Sequence, residues 1–279
     1  MSVIPSIKLN NGIEMPQLGL GVFQMSEGAE VENSVLKALE SGYRSIDTAA
    51  GYHNELGVGR AIKASGLKRE EIFVTTKLAN RNQGYDATLK AFDESMGLLD
   101  MDYLDLYLIH WPIPMYDLYT DSWKAFIKLY EDKRIRAIGV SNFEPAHLEK
   151  VIAETGVTPA VNQIEYHPYL AQPALYEFCG KHGIAIEAWS PLMQGGDILN
   201  DEIIKNLAGK YSKTAAQIVL RWDIEKGIIT IPKSVHAERI LENINIFDFA
   251  LEPGDIAAID GLDKNFRTGP HPNDFSVKF

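Results

Sequence analysis

Eight short apolar runs, each followed by a stretch of helical periodicity, set the strongest limit on what this chain can fold into. The runs are Leu18–Gly21, Arg44–Asp47, Ile72–Lys77, Tyr103–His110, Ile135–Ser141, Val161–Glu165, Ile184–Trp189 and Ile228–Ile231. The periodic stretches after them are Val31–Leu39, Glu55–Ala64, Ala87–Leu98, Ser122–Tyr130, Ala146–Ala153, Ala174–His182, Ala215–Ile224 and Ala237–Ile246. Short runs alternating with helices read as parallel strands joined by helical crossovers. Eight such units in order favour a closed (β/α)8 TIM barrel over an open sheet. Helix punctuation agrees: Asn142 and Thr214 are expected N-caps, and Gly42, Gly66, Gly156, Gly183 and Gly227 fit helix ends.

Ahead of the barrel, Ser6–Leu9 and Ile13–Met15 flank Asn10-Asn11-Gly12, which predicts an N-terminal β-hairpin. The longer spacing Pro191–Lys213 leaves room for an insertion near the strand ends. A C-terminal tail follows, with one more helix at Pro253–Leu262 and an irregular end at Asp263–Phe279. No low-complexity linker divides the 279 residues, so one domain over 1–279 is expected. Met1–Leu9 has no basic leader, and no apolar run reaches the roughly 18 residues a membrane helix needs. Neither a signal peptide nor a membrane span is expected.

A net charge of −11 argues against nucleic acid or an anionic membrane as partner. An anionic ligand would need a local basic site. The single cysteine, Cys179, excludes an intrachain disulfide and fits a cytoplasmic protein; its apolar surroundings read as core.

Four polar residues stand at or just past strand ends: Asp47, Tyr52, Lys77 and His110. In a barrel such residues meet at one face, although distant in sequence. A phenol is a poor acid at neutral pH unless a cation stabilises its ionised form, and Lys77 would supply that cation. Asp47 would keep Lys77 charged and aimed, and His110 would donate a hydrogen bond to a carbonyl oxygen. Taken singly, a strand-end lysine is more often a surface cation and a tyrosine more often packs its ring. The four together suit protonation of a carbonyl.

At the last strand, Ile231-Pro232-Lys233-Ser234 leads into a helix carrying Arg239, Glu242 and Asn243. Lys233, Ser234 and free helix N–H groups would converge on an anion there, with Arg239 a turn further on. Ser141, Asn142 and Gln163 offer hydrogen bonds to a carboxamide, and Trp189 a flat stacking surface. Gly19-Leu20-Gly21 and Gly57-Val58-Gly59 complete no Rossmann fingerprint, so a nucleotide would lie extended over the barrel mouth.

These segments closely resemble the aldo-keto reductase superfamily from about Ile7 to Pro272. The resemblance is carried by Gly42-Tyr43-Arg44-Ser45-Ile46-Asp47-Thr48-Ala49, Tyr52-His53-Asn54-Glu55 and Asp105-Leu106-Tyr107-Leu108-Ile109-His110-Trp111-Pro112. It continues in Ile138-Gly139-Val140-Ser141-Asn142-Phe143, Ile231-Pro232-Lys233-Ser234 and Arg239-Ile240-Leu241-Glu242-Asn243. Within the superfamily the chain is similar to the short microbial 2,5-diketo-D-gluconate and glyoxal or methylglyoxal reductases.

The resemblance implies NADPH-dependent reduction of aldehydes and ketones, with a small-molecule carbonyl substrate and a monomeric protein. It implies Tyr52 as general acid, tuned by Lys77 and Asp47, with His110 orienting the carbonyl. Ser141, Asn142 and Gln163 would hold the nicotinamide carboxamide, and Trp189 would stack on the ring. Ser190 and Leu192 would line the pyrophosphate. Lys233, Ser234 and Arg239 would take the 2′-phosphate, with Glu242 and Asn243 near the adenine. Phe23 and Trp111 would line the substrate pocket with the segment Arg267–Asn273. Ala79, where close relatives often carry Trp, would open one pocket wall. His236 stands where many relatives have a small or basic residue, and would weaken the preference for NADPH over NADH.

Two other readings compete. A regulatory barrel that binds NADPH and turns over slowly would keep the same residues. A metal-dependent hydrolase would recruit His110, His167, Asp47 and Glu165, but Lys77 beside them opposes a bound cation; no metal is expected.

Overall fold

The computed structural model describes residues 4–276. The outermost parts of Met1–Leu9 and Asp263–Phe279 therefore lie outside the described residues. A hairpin of β1 (Ser6–Lys8) and β2 (Glu14–Pro16) comes first. It is followed by β3 (Leu20–Gly21), α1 (Ala29–Glu40), β4 (Ser45–Asp47), α2 (Glu55–Ala64), β5 (Phe73–Leu78) and α3 (Tyr85–Leu99). Next come β6 (Leu104–Ile109), α4 (Tyr119–Glu131), β7 (Ile135–Ser141), α5 (Pro145–Thr155), β8 (Val161–Glu165), α6 (Pro173–His182) and β9 (Ala185–Trp189). The chain ends with α7 (Glu202–Tyr211), α8 (Ala215–Glu225), β10 (Ile229–Thr230), α9 (Ala237–Ile244) and α10 (Pro253–Asp260).

Strands β3 to β10 lie side by side in sequence order, all parallel. The ends of the sheet meet: Leu18 bridges Thr230 in parallel, the Gly19 amide donates to the Thr230 carbonyl at 3.0 Å, and the Thr230 amide donates to Gln17 at 3.0 Å. The sheet is thus the expected (β/α)8 barrel. Its girth is tight. A Cβ on Gly139 would meet the Val161 carbonyl oxygen at 2.6 Å, so only glycine lets β7 approach β8 there.

The hairpin closes the floor. Leu9 and Met15 pack with Phe73, Leu106, Leu108, Ala137, Val161 and Ile229 in one buried cluster at the N-terminal ends of the strands. Burying side chains of this size stabilises by about 1.5–3 kcal/mol each, which ties the hairpin to the barrel. A larger cluster fills the space between the sheet and its helices, and Cys179 lies in it as a core thiol.

Thr214 caps α8 as expected, accepting the Gln217 amide at 3.2 Å. Gly156 and Gly183 close α5 and α6, and Gly42, Gly66 and Gly227 sit one residue past their helices' caps with positive φ. Asn142 is not an N-cap. Glu144 occupies that place ahead of Pro145, while Asn142 takes a left-handed conformation (φ 63) and turns its amide into the barrel mouth. The Pro191–Lys213 insertion is ordered as two 3₁₀ turns, Met193–Gly195 and Asp197–Asn200, and helix α7.

Candidate active site

Alternation along the strands sends every second side chain into the lumen. Asp47, Lys77, His110, Ser141, Gln163, Glu165, Glu187 and Trp189 are the inward polar or aromatic residues nearest the C-terminal ends. The backbone is strained at that end. Gln24, His53, Ile113, Asn142 and Ser190, all just past strands, have φ between 44° and 63°. Left-handed backbone is costly for a β-branched residue such as Ile113, and such strain gathers at functional sites.

Lys77 is fully buried, and its ammonium spends all three donors. It donates to Asp47 Oδ1 at 2.5 Å, to the Thr48 carbonyl at 2.9 Å and to the Tyr52 hydroxyl at 3.3 Å. A 3₁₀ turn, Ala50–Tyr52, delivers the phenol, and left-handed His53 ends it. The Tyr52 ring packs on Phe23 at 5.0 Å and meets the His110 ring edge-on at 5.6 Å. All four residues predicted from strand ends are therefore together.

Burial raises Asp47 above the ordinary carboxylate range, and Lys77 and Gln163 offset that only in part. Burial alone would lower Lys77, but Asp47, Tyr52 and Glu187 more than offset it, so the ammonium persists and the pair is ionic. Lys77 was expected to lower the Tyr52 phenol. The net direction is upward, because burial outweighs the pull of Lys77. Tyr52 therefore keeps its proton near neutrality, as an acid must. Burial and the Lys77 charge hold His110 well below the ordinary histidine range, so its ring is neutral. Its Nδ1 is sealed without a partner among the described residues, which leaves Nε2 as the nitrogen facing the mouth.

Gln163 reaches across the barrel. Its Nε2 donates to Asp47 Oδ2 at 2.8 Å and to Glu187 Oε2 at 2.7 Å, and its Oε1 accepts nothing within the described residues. Glu187, absent from the residues predicted for the site, is fully buried, and burial with the Asp47 charge pushes its carboxyl up to about 8. It stands two residues before Trp189 on the same strand face, which was the available signal. Ser141 donates to the Gln163 carbonyl at 2.9 Å. Asn142 Nδ2 donates to the His110 carbonyl at 2.9 Å and to Ser141 Oγ at 3.0 Å, and its Oδ1 accepts Trp189 Nε1 at 2.8 Å. Asn142 thus aims Trp189 and ties it to the His110 strand end.

At the other end of the mouth, Ser234 is buried and Lys233 and Arg239 are exposed around the start of α9. Among the described residues neither cation has a carboxylate within ion-pair distance. Asn243 is buried, and Glu242 accepts from Thr214 Oγ1 at 2.7 Å. Ser190 and Leu192 open the loop that follows β9, Ser190 with φ 50.

Phe23 is 48% exposed beside Tyr52, whereas Ala79 has no exposed surface and so opens no gap in the wall. Trp111 lies 4.2 Å from the Phe275 ring, covered by the tail. That tail is strapped down by Glu165, whose carboxylate accepts the Thr268 amide at 2.6 Å, the Thr268 hydroxyl at 2.5 Å and the Gly269 amide at 3.2 Å. Glu165 also contacts His167 at 3.2 Å. The carboxylates of the hydrolase reading are thus committed, Asp47 to Lys77 and Glu165 to the tail. Among the described residues no group of three or more potential ligands is arranged to hold a metal.

Known proteins resemble this chain in sequence and fold. The sequence pattern of the aldo/keto reductase family matches residues 17–264. Glyoxal reductase of Bacillus subtilis is 52% identical over 273 residues, 98% of each chain. Methylglyoxal reductase DkgA of Escherichia coli is 49% identical over 270 residues, 96% of this chain and 97% of its own. A mutant of Gox0644 in complex with NADPH superposes with a TM-score of 0.94 at 46% identity, covering both chains completely. With a family match over most of its length and half its residues shared with enzymes so named, the chain belongs to the aldo/keto reductase family and is an oxidoreductase of carbonyl compounds.

Proposed function

We propose that the protein is an NADPH-dependent carbonyl reductase whose proton donor is Tyr52. The observation that carries this reading is the Asp47–Lys77–Tyr52 chain beside a neutral His110, all at one barrel mouth. The mouth suits an extended dinucleotide. Trp189 offers a ring, Gln163 Oε1 an acceptor with no donor among the described residues, and Lys233 and Arg239 two exposed positive charges in an acidic protein.

When bound, NADPH supplies a hydride to the carbonyl carbon. His110, protonated on Nε2, donates a hydrogen bond to the carbonyl oxygen and orients it. Tyr52 gives that oxygen its proton, and the phenolate left behind lies against the Lys77 ammonium. Asp47 holds Lys77 in place. Gln163 accepts from the carboxamide, with Ser141 and Asn142 positioning it and Trp189; Ser190 and Leu192 line the pyrophosphate. Lys233, Ser234 and Arg239 hold the 2′-phosphate, with Glu242 and Asn243 beside the adenine.

Small 2-oxoaldehydes are the substrate class. Phe23 beside Tyr52 and Trp111 against Phe275 offer apolar walls, and buried Ala79 adds no space. The relatives named for glyoxal and methylglyoxal support this choice. A monomeric, cytoplasmic protein of one domain completes the reading; its lone thiol is buried, and no helix among the described residues is long and apolar enough to cross a membrane. Consumption of NADPH with methylglyoxal, a diketo sugar acid and an aromatic ketone tests it. Turnover fastest with methylglyoxal is expected; no turnover with any of them would overturn the reading.

A further inference from the structure

We propose that Glu187 is a positioning residue: together with Asp47 it holds both amide hydrogens of Gln163 and so presents Gln163 Oε1 to the carboxamide of the nicotinamide. This inference rests on the reading of Gln163 as a cofactor contact.

The geometry leaves the amide one orientation. Asp47 is ionised by its pairing with Lys77, so both its oxygens only accept. The Gln163 atom 2.8 Å from Asp47 Oδ2 must therefore be the nitrogen. A second acceptor, Glu187 Oε2, lies 2.7 Å from the same nitrogen. An NH2 group has two hydrogens, and these two carboxyl groups take both. Gln163 and Glu187 are register partners on β8 and β9, and their side chains share the lumen. The main chain of Gln163 is fixed as well, its carbonyl accepting the Asn142 amide at 2.8 Å and the Ser141 hydroxyl at 2.9 Å. Nothing in the site mechanism uses Glu187. An apolar side chain would fill the lumen without the cost of burying a carboxyl.

The groups facing Glu187 are Asp47 from β4, Lys77 from β5, Tyr52 and Gln163. With one cation and one anion already paired, a neutral acid at this place adds an acceptor without adding net charge. Glutamine has the shape of that neutral acid and keeps an acceptor oxygen for Gln163.

The test measures binding of NADPH, and of adenosine 2′,5′-bisphosphate, which lacks the nicotinamide, by quenching of tryptophan fluorescence. Glu187→Leu is expected to weaken NADPH about five- to tenfold and leave the bisphosphate unchanged. Glu187→Gln is expected to restore most of the loss. Equal weakening of both ligands, no change in either, or failure of Glu187→Gln to restore binding would overturn the proposal. Gln163→Leu is the control on the underlying reading. If it too leaves NADPH binding unchanged, Gln163 is not a cofactor contact and the proposal falls with that reading. If it weakens NADPH while Glu187→Leu does not, the reading stands and only the role of Glu187 is refuted.

Discussion

Lys77 donates to Asp47 at 2.5 Å in a place where neither side chain has meaningful contact with water. A buried pair of this kind is weak evidence for added stability, because desolvation consumes much of the attraction, but breaking it strands a charge. Lys77→Met should therefore cost about 3–5 kcal/mol in urea unfolding. Adding Asp47→Asn should recover most of that loss without recovering activity. A single variant as stable as the wild type would mean that Asp47 is not ionised in the folded protein.

Glu187 gives the clearest pH dependence. Its folded carboxyl is pushed up to about 8 from an ordinary value of 4.5. Between those values the folded protein keeps a proton that the unfolded chain has released. The stability from this group is therefore whole below that window and is lost as pH rises through it. Relative to Glu187→Gln, the wild type should lose unfolding free energy steadily from about pH 5 to about pH 8.5. Parallel stability curves for the two proteins would contradict a protonated Glu187.

Lys233→Ala and Arg239→Ala should each raise the Michaelis constant for NADPH about tenfold, the size of a lost charge-assisted contact. The constant for NADH, which has no 2′-phosphate, should stay within about twofold. Equal effects on both cofactors would remove these residues from the 2′-phosphate site.

Gly269 lies so close to Trp189 that a Cβ there would meet the indole at 2.6 Å. Gly269→Val should lift the tail from Glu165. Faster hydrogen exchange of the Thr268 amide and a shifted tryptophan emission are the expected signs. Unchanged exchange would mean that the tail accommodates the side chain elsewhere.

Most of the fold was legible because barrel strands are apolar on both faces and their order is the sequence order. Val161–Glu165 and Ile135–Ser141 were readable to their ends. Asp47, Lys77 and His110 were legible for a related reason, as polar residues at the mouths of apolar runs. Glu187 escaped because it lies inside the run Ile184–Trp189, where one polar residue does not change the strand reading. Its meaning depends on Gln163 across the register, a contact that no local pattern encodes. Helix α7 did have a signal, with Ile204 and Leu207 buried at helical spacing, hidden in a segment read only as an insertion. The strap from Glu165 to Thr268 joins residues 103 positions apart through irregular chain, where neither period nor propensity applies. The direction of the Tyr52 shift was likewise beyond the sequence, since burial rather than Lys77 decides it.

The central claim is that Tyr52 supplies the proton, and the comparison of wild type with Tyr52→Phe tests it most directly. Loss of NADPH absorbance with methylglyoxal and quenching of tryptophan fluorescence by NADPH would be followed in both proteins. Removing only the hydroxyl should cut turnover by at least about a hundredfold, the scale of a lost general acid, while NADPH binds nearly as before. Turnover that survives in Tyr52→Phe, with binding intact, would contradict the account and require another group at the barrel mouth to donate the proton.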